Sequence, residues 1–171
     1  MDLDQSLTEF LRTDEISPAF ARQLSVPSNR RALYFHIAHG PLREYRSLLL
    51  HLFALEVAFR DALWEGTDVD EDDCFEGIYQ CAFLLRQCGD PADTRTLWKA
   101  QYLNQDVGEL YVGYFVGAGI KETLAFLDQA SDPSSVEIAN FVREALAEDP
   151  GAQEWLKDWE RQCSESLENC R

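Results

Sequence analysis

Positive charge is scarce in this sequence. Lysine and arginine together number 15 against 31 aspartates and glutamates, for a net charge of −16 and an isoelectric point near 4.4. Nucleic acids and anionic membranes are held by cations that neutralise phosphate, so this balance argues against both as general partners. Long apolar runs are missing too. No stretch approaches the eighteen or so consecutive apolar residues of a membrane span. The opening "MDLDQSLTEF" lacks the basic and apolar segments of a secretory signal, so the chain is expected in the cytoplasm.

The usual catalytic signatures are absent as well. No serine sits in a GxSxG setting, and no cysteine carries a signature that ties it to a histidine. The glycines of "GYFVGAGIKET" do not follow the GxxxxGK[ST] order of a phosphate loop. There are only three histidines, His36, His39 and His51, and the "HIAH" pair has no third ligand at a metal-site spacing. The expectation is a chain without cofactor, metal or catalytic residues, and not an enzyme.

Five cysteines occur at 74, 81, 88, 163 and 170. Residues seven apart on a helix lie roughly 10 Å apart along its axis, too far for a disulfide. They are also spaced too widely for a zinc knuckle. Buried, reduced thiols acting as small hydrophobes are expected.

What the sequence does have is a folding composition, 46% apolar and 12% aromatic, in 171 residues. That length suits one domain with its own core. The apolar period is 3.6 throughout, with no alternating run that would mark a strand. Ser17-Pro18 opens a helix by cap and first-turn proline, and Asp90-Pro91 and Asp132-Pro133 carry the same start signal. From Pro41 to Glu65 the stripe Leu42, Tyr45, Leu49, Leu52, Leu55 or Glu56, Phe59 and Leu63 marks a long central helix, widened by Leu48 and Phe53. Asp72 or Asp73 is placed to cap the next helix, which Gly89 ends. "ELYVGYFVGAG" and "KETLAFLDQA" read as two helices parted by Gly117 and Gly119. A helix opened by Asp132 is expected to end at Pro150-Gly151. The last helix carries Trp155, Leu156, Trp159, Cys163 and Leu167. The whole is an all-α fold of about nine helices, a single domain over 1–171, arranged as a bundle or as helical hairpins of the HEAT kind.

Charge is distributed unevenly. Between Arg22 and Arg60 stand six arginines against two glutamates, while "EGTDVDEDDCFEG" packs seven carboxylates into residues 65–77. Read as a calcium loop starting at Asp68, the stretch puts Asp70 and Asp72 at positions three and five. It then fails at position six, where Asp73 replaces the turn glycine, and at position twelve, where Tyr79 replaces the bidentate glutamate. Two roles stay open: a solvated, helix-capping loop, or a contact surface for a basic partner made of Asp68, Asp70, Glu71, Asp72, Asp73 and Glu76. Among the aromatic residues, Trp64, Trp98, Trp155, Trp159, Tyr79, Tyr102, Tyr111 and Tyr114 are candidates for core positions and for interface anchors.

The run from 78 to 127 resembles a group of bacterial all-helical proteins of the toxin-immunity type, associated with type VI and polymorphic toxins. The resemblance lies in "GDPAD" at 89–93, "LWKA" at 97–100, Asn104 and Asp106, "VGAG" at 116–119 and "TLAFL" at 123–127. It departs from the group's pattern at Gln101 and Phe126. The resemblance implies a cytoplasmic protein that neutralises a cognate secreted toxin, and carries over no binding residues; the clustered carboxylates add the expectation that the toxin presents a basic surface. The alternative is a helical adaptor or chaperone for a secreted effector. Self-association is left open.

Overall fold

The computed structural model describes residues 2–130, 132–147 and 151–169. Among them every regular element is helical. Nine α-helices run in order: α1 Leu3–Thr13, α2 Pro18–Leu24, α3 Pro27–Ile37, α4 Arg46–Glu65, α5 Gly77–Gln87, α6 Asp93–Trp98, α7 Ile120–Gln129, α8 Pro133–Ala147 and α9 Ala152–Asn169. Two 3₁₀ turns, Leu42–Tyr45 and Val112–Val116, complete the set. The all-α expectation holds. The chain divides into two compact units, 1–84 and 85–171. The division falls inside α5, which is why no Pro- or Gly-rich linker marks it in the sequence.

In the first unit, Ser17 caps α2 as expected, its Oγ accepting from the Phe20 N–H at 3.2 Å, with Pro18 in the first turn. The long apolar segment begins as a 3₁₀ turn and becomes α4 at Arg46. Its inner face is Leu48, Leu49, Leu52, Phe53 and Phe59, with two charged members, Glu56 and Arg60. Leu55, the alternative at that point of the stripe, is only half-buried.

A carboxylate at 2% exposure requires a partner, because desolvating an unpaired ion costs several kcal/mol. Arg30 of α3 supplies it. Its Nε and Nη2 grip the two Glu56 oxygens at 2.7 and 3.2 Å, and its Nη1 donates to the Leu24 carbonyl at 3.0 Å. The Tyr34 hydroxyl donates to Glu56 Oε1 at 2.6 Å. Burial, then the nearby Cys81 and Glu56, hold the Tyr34 hydroxyl well above the ordinary tyrosine range. Gly77 lies flat on the same carboxylate, where a Cβ would stand 2.8 Å from the carboxyl atoms.

In the second unit the centre is the 3₁₀ turn Val112–Val116, all five residues of which are buried. It packs against α6, α7, α8 and α9. A full α-helix was expected here. Close approach explains the difference: Gly113 rests against the Trp159 ring, and Gly117 against the Arg86 carbonyl, with no room for a Cβ at either. Tyr111 and Tyr114, three apart, both reach Trp159, with ring centroids at 5.4 and 4.9 Å. Arg86 locks this corner by donating from Nε to the Gly113 carbonyl at 2.7 Å, pairing with Glu160 at 3.0 Å, and lying over the Trp159 ring.

The two Asp-Pro signals behave differently. Asp132 caps α8, its carboxylate accepting from the Ser135 N–H and hydroxyl at 3.0 and 2.8 Å. Those bonds hold its pKa below the usual carboxylate value. Asp90 instead binds the Ala92 N–H at 2.9 Å and shapes a turn, and α6 begins only at Asp93. Pro150, the expected stop for α8, and Cys170 lie outside the described residues. Cys74, Cys81 and Cys88 are buried free thiols, and Cys163 is a half-buried one.

Two outcomes follow from these environments. Glu56→Gln leaves Arg30 charged in the core and lowers the unfolding free energy by about 3–5 kcal/mol. Tyr34→Phe removes one hydrogen bond to a charged acceptor and lowers it by about 1.5–3 kcal/mol. Urea denaturation measures both, and equal losses would contradict the central place given to the carboxylate. Separately, burial pushes the Cys163 thiol up to about 11 from 9.0. The folded state therefore keeps a proton that the unfolded chain loses above pH 9, and this part of the stability fades as the pH climbs toward about 11. Alkylation of Cys163, followed by peptide mass spectrometry, should show its midpoint near that upper value.

Candidate functional site

The acidic stretch joins α4 to α5, and its shape is set by main-chain contacts. Helix α4 ends because Gly66 adopts a left-handed conformation, φ 70°, and the Thr67 N–H closes back to the Ala62 carbonyl at 2.9 Å. Asp68 accepts from the Val69 N–H at 2.8 Å, and Asp70 from the Cys74 N–H at 2.7 Å. Such bonds from an aspartate to nearby backbone are the ordinary means by which the residue stabilises turns. Asp73 takes a left-handed conformation, φ 55°, which aspartate tolerates better than most residues.

Two arginines tether the far side of the loop. Arg31 of α3 donates from Nη1 to the carbonyls of Asp72 and Asp73 at 2.9 and 3.1 Å. Arg60 of α4 donates to the Phe75 carbonyl at 2.8 Å, with its guanidinium 5.7 Å from the centre of the Phe75 ring. Cys74, between these anchors, points into the core at 2% exposure. Its thiol is raised above the ordinary value, first by burial and then by Asp70 and Asp72, against the opposing pull of Arg31.

Of the six carboxylates proposed from the sequence, Asp68, Glu71, Asp72, Asp73 and Glu76 are exposed and Asp70 is half-buried. Asp68, Asp70, Glu71 and Asp72 line one shallow depression of about 410 Å³, whose other wall includes Pro27 and Val69. Asp73 and Glu76 stand outside it. The capping role is corrected: α5 begins at Gly77, so Asp72 and Asp73 lie beyond its N-terminal turn and serve the loop instead. Among the described residues, no three His, Cys, Asp or Glu side chains come together as a metal site. His36 is exposed beside Asp4, with Nδ1 3.6 Å from the carboxylate.

Arg31 and Arg60 were not singled out by sequence reasoning. The signal available for them was the excess of arginine between residues 22 and 60, adjacent in the chain to the excess of acid that follows. Nothing in a linear sequence shows that these cations serve carbonyls 15 and 41 residues away.

No protein family, curated protein or solved structure matches the chain. Carboxylates held outward by a tethered backbone can repel anions, attract basic proteins, and accept hydrogen bonds from Arg and Lys. The tether itself is testable. Arg31→Ala should speed amide hydrogen exchange across 72–76 at least tenfold while changing global stability by under about 1 kcal/mol, since the interaction lies at the surface. Unchanged exchange in that segment would show that the loop holds its shape without Arg31.

Proposed function

We propose that this chain is an immunity-type protein that binds and neutralises a cognate secreted antibacterial toxin in the cytoplasm. It does so through the acidic surface of Asp68, Asp70, Glu71, Asp72, Asp73 and Glu76, which covers a basic active site. The observation that supports this reading is the tethering of the loop. Arg31 and Arg60 donate to main-chain carbonyls, so the backbone that carries the carboxylates is held in place at the surface. A preorganised surface loses little entropy on binding, and clustered negative charge accelerates encounter with a basic groove. The resemblance in residues 78–127 points to the same class.

The proposed mechanism is stoichiometric occlusion. A toxin that processes polyanions must present cations to them, and carboxylates spaced along a rigid loop compete for those cations. The complex should form quickly and be sensitive to salt, because exposed charges are screened within about 10 Å at 0.1 M ionic strength.

The test is coexpression with any toxin-domain protein found encoded beside this chain, together with stopped-flow association. The triple variant Asp70→Ser, Asp72→Ser, Asp73→Ser should lower the association rate at low salt by about ten- to hundredfold and weaken protection of the cell. Unchanged association and protection would remove the acidic loop from the interface. Failed delivery of an effector, with no protection at any expression level, would favour the adaptor role instead.

A further inference from the structure

Carboxylates alone do not describe the surface around this loop. The first unit exposes five large apolar side chains among its described residues: Leu11, Val26, Trp64, Val69 and Phe75. Trp64 immediately precedes the acidic stretch, and Val69 and Phe75 lie within it. Trp64 is 48% exposed, Val69 73% and Phe75 40%, three large apolar side chains within one short stretch of chain.

Two of these side chains are related through Arg60, and the third sits among the carboxylates. Trp64 lies one turn beyond Arg60 on the same face of α4, and the Arg60 guanidinium carries the Phe75 ring on its face while holding the Phe75 carbonyl. Val69 and Pro27 share the depression lined by the carboxylates. Pro27 in turn stands one turn before Arg31, which holds Asp72 and Asp73. The Phe75 ring is therefore exposed yet held at a defined place, as an affinity anchor requires.

We propose that Trp64, Val69 and Phe75 anchor a partner and that the occupant of this surface is a basic amphipathic segment of a protein. Charge complementarity selects it. Apolar anchors interleaved with carboxylates suit a segment whose apolar face packs on Trp64 and Phe75 while its Lys or Arg side chains reach the flanking acids. The long stems of those side chains also cover apolar surface. An uncharged apolar segment would leave the carboxylates without partners, and a purely basic one would leave the anchors in water. The inference builds on the reading of the loop as the partner surface and adds the chemistry of the contact. Within it the carboxylates govern association and the apolar anchors govern dissociation.

The experiment needs no toxin. Isothermal titration of the full chain with two short synthetic peptides of equal positive charge, a Lys/Leu amphipathic helix and a Lys/Ser sequence, separates the two contributions. The Lys/Leu peptide should bind at least about tenfold more tightly, and should keep most of that advantage at about 0.5 M sodium chloride, where exposed charges are screened. Phe75→Ala and Trp64→Ala should each weaken it at least about fivefold and leave the Lys/Ser peptide unaffected. Phe75→Ala retains the main-chain carbonyl that Arg60 holds, so the loop persists, and circular dichroism checks the fold of both variants. Binding of the Lys/Leu peptide within twofold of wild type in both variants overturns the proposal. That result would leave the toxin coexpression test undecided, so the two readings fail independently.

Discussion

The Glu56 carboxylate is where the first unit is held together. Arg30 brings α3 to it through two hydrogen bonds, Tyr34 adds a third, and Gly77 at the start of α5 lies on its face. The same Arg30 satisfies the Leu24 carbonyl at the end of α2, one of the acceptors that a helix leaves without an internal partner. One buried ion pair thus fixes the ends or faces of four helices. Its value lies in specificity more than in net energy, because a well-packed apolar group of similar shape often serves stability as well. An apolar side chain, however, would impose no particular register on α3, α4 and Gly77. The acidic loop ends at Gly77, so its exit from the fold is set by this carboxylate, and Arg60, one turn along α4 from Glu56, sets the residues just before it.

The features that sequence reasoning captured are those decided within a few residues. The Ser17 and Asp132 caps depend on the residue, the following proline and a main-chain N–H three positions on, all of them local. The all-helical class follows from a period of 3.6 that no other backbone matches. Asp90-Pro91 carries the same signal as Asp132-Pro133 and gives a turn, because the aspartate satisfies the Ala92 N–H two residues away and the helix begins only at Asp93. The 3₁₀ turn at Val112–Val116 escaped because its geometry answers to Trp159 and Arg86, which are distant in sequence. Glu56 had left a trace, a charged residue on an otherwise apolar stripe. That pattern says that a partner exists without saying which of the neighbouring arginines it is.

The candidate site was legible to a different degree. Its carboxylates are visible in the sequence as composition, and so is their failure as a calcium loop. Whether such a stretch is a loose solvated turn or a shaped surface depends on contacts between residues separated by 15 to 42 positions. The distinction matters for binding, since a disordered acidic segment loses entropy when it docks and a tethered one has little left to lose.

Arginine links these observations. In a chain so short of cations, the simplest expectation is that each would neutralise an acid. Several do, as in Arg95 with Asp132 and Arg143 with Asp128. Four donate to main-chain carbonyls, and Arg30 and Arg86 do so while also pairing with an acid: Arg30 to Leu24, Arg31 to Asp72 and Asp73, Arg60 to Phe75 and Arg86 to Gly113. The guanidinium suits this use because its planar fork offers several fixed donors and stays charged at any accessible pH. Two consequences follow together. Irregular segments, the acidic loop in one unit and the 3₁₀ turn in the other, acquire a defined shape without extra secondary structure. And the cations that impose this shape do so by bonding its carbonyls rather than its carboxylates. A rigid surface and an unneutralised one are therefore products of the same arginine contacts.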